Sequence, residues 1–111
     1  MQQLTSEEIK QKINEGENFV LDLFAVWCGP CKVMLGNLER VNESLIKEST
    51  SAPKYGIYKY DVESDMEFSR ELGIRSVPTI KVFDKGQVVE TKVGVVQESE
   101  LKQIAKNLVN G

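Results

Sequence analysis

Residues 19–32 read Phe19-Val20-Leu21-Asp22-Leu23-Phe24-Ala25-Val26-Trp27-Cys28-Gly29-Pro30-Cys31-Lys32. The first eight are almost continuously apolar, the pattern of a central strand covered by helices on both faces, whereas a strand with one wet face would alternate. Asp22 is the one charge inside that run. Pro30 then suits the first turn of a helix, where an N–H has no intrahelical acceptor in any case. Beyond it Met34, Leu38, Val41 and Leu45 step by four, three and four, so they share one face of a long helix that reaches to about Glu48. A buried strand, a tight loop and a helix open an α/β structure, and a Cys-x-x-Cys pair stands at the joint.

The rest of the chain extends this pattern. Thr5 with Glu8 makes a capping box, and Ile9 and Ile13 recur at helical spacing, which predicts a helix from Ser6 to Glu15 that Gly16 ends. Tyr55 to Val62 reads as a second core strand. Ser64 with Glu67 makes another capping box for a short helix that Gly73 closes. Thr79–Phe83 and Gln87–Val93 read as strands on either side of the turn Asp84-Lys85-Gly86. Leu101, Ile104, Ala105 and Leu108 give a last helix its apolar face. Early alternation of strands and helices predicts parallel pairing with right-handed crossovers, and the late hairpin adds an antiparallel edge. The expected fold is a mixed β-sheet flanked by helices on both faces.

With 111 residues, 41% of them hydrophobic, the chain suits one compact domain spanning residues 1–111. The net charge of -3, with Lys and Arg scattered singly, lacks the basic stripe that nucleic acid or an anionic membrane would require. No apolar run approaches the roughly 18–20 residues of a membrane span. The first residues, Met1-Gln2-Gln3-Leu4-Thr5-Ser6, have neither the basic nor the apolar region of a secretory signal, so a cytoplasmic location is expected. Two cysteines three positions apart cannot staple a secreted mini-domain. In a reducing compartment such a pair reads as reactive.

The joint supplies the reactivity. Cys28 precedes the first helical turn, where unpaired backbone N–H groups and the positive end of the helix dipole stabilise a thiolate, so Cys28 is the expected nucleophile. Cys31 lies three residues on, on the same helix face, within reach of a mixed disulfide at Cys28; it is the expected resolving thiol. Gly29 lets the intervening loop turn tightly. A structural zinc site needs about four Cys or His ligands, and this chain has two Cys and no His. Burial of both cysteines as small apolar residues is the remaining bland reading.

Trp27-Cys28-Gly29-Pro30-Cys31-Lys32 resembles the active-site hexapeptide of the thioredoxin family, and the likeness continues over almost the full length. Asp22, six residues before Cys28, is similar to the family's buried aspartate, and Lys59 to that aspartate's partner lysine. Ile74-Arg75-Ser76-Val77-Pro78-Thr79 resembles its cis-proline loop, and Val93-Gly94 the glycine loop beside the site. On the residues alone, a lone carboxylate in a doubly covered strand has its pKa raised by desolvation, which suits a base for the Cys31 proton; an Asp22–Lys59 ion pair that merely satisfies two buried charges is the competing reading. The resemblance favours proton transfer. X-Pro bonds are mostly trans, and the resemblance reverses that for Val77-Pro78. A cis bond there presents the Val77 backbone beside Cys28, where an extended substrate segment pairs as an added strand. Trp27 fits as a flat apolar contact and Gly94 as a place for close backbone approach, with an ordinary core Trp and turn Gly as the alternatives.

The sequence departs from the family in three places. Gly36 stands where the long helix commonly carries a kinking proline, Phe24 replaces a tryptophan frequent before the site, and the N-terminus is short for the first edge strand, so that residues 2–4 pair only loosely. The resemblance implies a general protein-disulfide reductase acting on disulfide-containing proteins, with the Cys28–Cys31 dithiol as its redox centre and no bound cofactor or metal. It also implies a flavin-containing, NADPH-dependent thioredoxin reductase as electron donor. A monomer is expected. The competing functions are a disulfide oxidase or isomerase of the same fold, against which the Gly29-Pro30 pair and the N-terminus count, and a non-enzymatic binding module using the face around Trp27, Val77 and Gly94.

Overall fold

Thr5 opens the first helix as its spacing predicts. Its hydroxyl accepts the Glu8 N–H at 3.2 Å while the Glu8 carboxylate accepts the Thr5 N–H at 2.9 Å. The computed structural model describes residues 1–48 and 56–110, with side chains to Leu108. In chain order these residues form β1 (Gln2–Gln3), α1 (Ser6–Asn14), β2 (Phe19–Phe24), α2 (Gly29–Glu48), β3 (Gly56–Asp61), α3 (Met66–Glu71), β4 (Thr79–Asp84), β5 (Gln87–Val93) and α4 (Glu98–Asn110). The sheet order is β1-β3-β2-β4-β5. β3 runs parallel to β2 and β1 to β3, whereas β4 and β5 are antiparallel to their neighbours. This is the expected mixed sheet with helices on both faces.

β2 lies at the centre and shows why its sequence does not alternate. Phe19, Leu21 and Leu23 pack with Leu4, Ile9, Tyr60 and Phe83 on one face. Val20 packs with Met34, Leu38 and Val41 of α2 and with Leu101, Ile104 and Leu108 of α4 on the other. Successive strand residues point to opposite faces, so a strand between two cores is apolar at nearly every position. The strand ends at Phe24, two residues earlier than the apolar run suggests, because Val26 turns outward and is 68% exposed.

α2 runs from Gly29 to Glu48, with Pro30 in its first turn as expected. Three local expectations are corrected. The N-cap of α3 is Asp65, whose carboxylate accepts the Phe68 N–H at 3.1 Å; Ser64 is not the cap, because its hydroxyl donates to the Asp61 carbonyl at 2.6 Å in the preceding turn. β4 extends one residue further, to Asp84. Of the strand expected over Tyr55–Val62, Tyr55 lies outside the described residues and Val62 follows β3, donating its N–H to the Phe24 carbonyl at 2.9 Å.

The β4–β5 turn carries Lys85 at φ 55° and Gly86 at φ 77°, the pair of positive values that a tight two-residue hairpin demands. Gly86 is also pressed against α1, since a Cβ there would collide with the carbonyl oxygen of Ile13. α2 and α4 are tied together beside the sheet. Asn37 donates to the Val96 carbonyl at 2.9 Å, Arg40 pairs with Glu98, and Lys102 reaches Glu48 at 2.6 Å. These ties hold α2, and with it the joint at its N-terminus, against the centre of the sheet.

Candidate active site

Ala25 N-terminal to the joint accepts the Cys28 N–H at 3.2 Å through its carbonyl, which turns the chain from β2 into α2. Cys28 and Cys31 are joined as a disulfide, with their Cα atoms 5.3 Å apart. Both are buried, at 4% and 3% exposure, in an apolar shell of Ala25, Phe24, Val62 and Val77. The Cys31 N–H points at Cys28 Sγ from 3.2 Å. That N–H belongs to the first turn of α2, which lacks an intrahelical acceptor, so Cys28 Sγ occupies the capping position where negative charge is favoured. Gly29 and Pro30 lie exposed over the loop, as a joint without side-chain bulk requires.

Asp22 sits on the β2 face that carries Val20, and therefore on the α2 side of the sheet. It is fully buried, and neither carboxylate oxygen has a hydrogen-bond partner among the described residues. Burial pushes its pKa up to about 7, and the Lys59 ammonium opposes that rise only in part. Lys59 lies opposite Asp22 in the β2–β3 register. The ion pair considered from sequence does not form. Lys59 Nζ instead lies over the Phe24 ring, 5.8 Å from its centroid, so the aromatic residue that departs from the family pattern holds the lysine. A carboxyl group with no donor, in an apolar layer, is the arrangement that keeps a proton near neutral pH.

The remaining expected residues surround the joint. Val77-Pro78 is cis. Pro78 is buried and its carbonyl accepts the Gly94 N–H at 2.8 Å, while the Thr79 hydroxyl donates to the Ser76 carbonyl at 2.8 Å. Gly94 adopts φ 91°, in the left-handed region that favours glycine, with open space where a Cβ would stand. The core alternative for Trp27 is excluded: the ring is 70% exposed, anchored by its indole N–H to Glu63 at 2.8 Å. Glu63, Met66, Arg70 and Arg75 line a groove with Trp27 and Val77 and were not singled out from sequence. Trp27 and Glu63 are 36 positions apart, and no local pattern announces their contact. Among the described residues no three His, Cys, Asp or Glu side chains gather as a metal site, and no helix is long and apolar enough to cross a membrane.

The thioredoxin family model matches residues 1–107. A thioredoxin of Malassezia sympodialis is 34% identical over 88 residues, covering 79% of this chain and 79% of the relative. A thioredoxin of Bacillus subtilis (strain 168) is 32% identical over 100 residues, covering 90% and 89%. Among solved structures, the Plasmodium falciparum thioredoxin superposes with a TM-score of 0.79 at 30% identity, over 96% of this chain and 98% of that one.

Proposed function

The chain belongs to the thioredoxin family and is a thiol-disulfide oxidoreductase that reduces protein disulfides through Cys28 and Cys31, and from that premise we propose that Cys28 attacks, Cys31 resolves and Asp22 takes the Cys31 proton. The Cys28 thiolate attacks one sulfur of a substrate disulfide, forming a mixed disulfide and releasing the other substrate sulfur as a thiolate. Cys31 then passes its proton to Asp22 and attacks Cys28 Sγ. The Cys28–Cys31 disulfide forms, the second substrate thiolate leaves, and two electrons have passed to the substrate. A reductase returns them. The observation that carries this assignment is the Cys28 sulfur at the open N-terminus of α2, accepting the Cys31 N–H at 3.2 Å.

Asp22 suits the base because its pKa of about 7 lets it both accept and surrender a proton near neutrality. Lys59, held over Phe24, moderates that pKa, and Gly29 and Pro30 shape the loop. Trp27, Val77, Pro78 and Gly94 form the surface for the substrate segment, which pairs with the Val77 backbone as an added strand. One domain over residues 1–111, working as a monomer in a reducing cytoplasm with an NADPH-dependent thioredoxin reductase as its donor, completes the reading.

Trapping tests the assignment. With a disulfide-containing protein such as insulin, reduced Cys31→Ser accumulates a mixed disulfide through Cys28, whereas Cys28→Ser accumulates none. Asp22→Asn slows resolution of the mixed disulfide at pH 7 by about 10²-fold or more, the usual contribution of a positioned base. Trapping through Cys31, or resolution unaffected by Asp22→Asn, would refute the respective roles.

A further inference from the structure

An open groove of about 430 Å³ runs beside α3 and shares part of its wall with the shell of the disulfide. Val62 and Val77 belong both to the apolar shell of the disulfide and to the groove wall, so the two are continuous. Met66, 57% exposed, and Ile74 prolong the apolar surface. Arg70 follows Met66 by four residues and so shares its face of α3, and Arg75 lies in the loop two residues before Val77. Both arginines are exposed and line the groove. Neither forms an ion pair with a carboxylate of the described residues. Glu63, the carboxylate among the lining residues, already accepts the Trp27 indole N–H.

A chain of net charge -3 thus presents, over an apolar wall next to its reactive disulfide, two guanidinium groups without an ion pair among the described residues. Such a site attracts acidic segments against the chain's overall negative charge. The planar guanidinium takes a carboxylate through paired N–H donors, a geometry that a lysine would lack. We infer that Arg70 and Arg75 determine substrate preference: the groove takes an extended segment that lays an apolar side chain beside Met66 and an acidic side chain, a few residues from the reacting cysteine, against the arginines. This rests on the reductase reading above and names the class of protein disulfide it favours. Exposed ion pairs are individually weak and screened by salt, so the preference falls on KM and fades as ionic strength rises.

The test uses disulfide-linked peptides of one sequence, with an apolar residue beside the cysteine and Glu, Gln or Lys three positions from it. With NADPH and a thioredoxin reductase returning its electrons, wild-type protein is expected to turn over the Glu peptide with a kcat/KM about fivefold above the Lys peptide, through KM, with the ratio approaching one at about 0.5 M salt. The double variant Arg70→Glu, Arg75→Glu is expected to invert the ratio, and Arg70→Gln, Arg75→Gln to level it. Taking the ratio within each protein cancels any change in overall activity. Equal rates for Glu and Lys peptides in wild type, or a Glu preference that survives charge reversal, overturns the inference. Insulin reduction reports separately on wild type: failure to reduce its disulfides overturns the reductase reading itself.

Discussion

Replacing Asp22 by Asn should make the protein more stable, by an amount that grows with pH. The carboxyl group is fully buried without a hydrogen-bond donor among the described residues, and its pKa rises from about 3.8 to about 7 on folding, chiefly by desolvation and against the attraction of Lys59. Between those values the unfolded chain has released the proton and the folded one still holds it, so stability falls as pH rises. The contribution of neutral Asp22 is whole below about pH 3.8, declines through the window, and is lost once pH passes about 7. At about 1.36 kcal/mol per pH unit, the full cost above pH 8 is about 4 kcal/mol, and at pH 5 it is about 1.5 kcal/mol. Asn carries no charge at any of these values. Urea denaturation of the oxidised wild type and of Asp22→Asn should therefore show a stability gap that widens by about 2–3 kcal/mol from pH 5 to pH 8, or about 1–2 M in the midpoint. Other carboxylates titrate alike in both proteins and cancel in the difference. A gap of the same size at pH 5 and pH 8 would refute the reasoning, since it would mean that Asp22 is not a buried titrating acid.

Four further substitutions probe the frame that holds the site. Gly86→Ala meets both a φ of 77° and the Ile13 carbonyl oxygen, and should cost about 2–4 kcal/mol in chemical denaturation. Gly73→Ala, at φ 72° with open space around its Cβ position, should cost only about 1 kcal/mol, so equal losses would exclude the collision with α1. Gly36→Ala should stabilise by about 0.5–1 kcal/mol, because the position is helical and a Cβ meets only the Arg40 guanidinium, at an ordinary contact distance of 3.4 Å. A lower thermal midpoint for that variant would show that α2 needs glycine there. Thr5→Ala removes one of the two reciprocal capping bonds of α1, and about 1 kcal/mol should be lost in urea; no measurable change would mean that the cap contributes nothing to the folded state.

Most of the fold was legible in the chain because its determinants are local. The non-alternating run Phe19–Phe24 required a strand between two covered faces, the four-three-four spacing of Met34, Leu38, Val41 and Leu45 required a helix, and Asp84-Lys85-Gly86 required a tight hairpin turn. Where local reading failed, a competing local bond decided the outcome. Ser64 was spent on the Asp61 carbonyl, which left the cap of α3 to Asp65. The chemistry of the joint was equally local, since Cys28, Gly29, Pro30 and Cys31 lie within one helical turn and the helix N-terminus follows from their order.

What spacing along the chain could not decide is how separated residues meet. Sequence alone left Asp22 and Lys59 open between an ion pair and a proton carrier. The β2–β3 register places them opposite each other, yet Lys59 lies over Phe24 and the Asp22 oxygens are without donors among the described residues, an outcome set by three side chains competing in one layer. The groove was invisible for the same reason. Trp27 meets Glu63 across 36 positions, and Met66, Arg70 and Arg75 join them only because α3 and the loop before Val77 converge beside the disulfide. Hydrophobic period and capping act within a turn or two and can be read from neighbours, whereas the pairing of charges and the shape of a groove are set by packing between elements and exist only once the sheet has assembled.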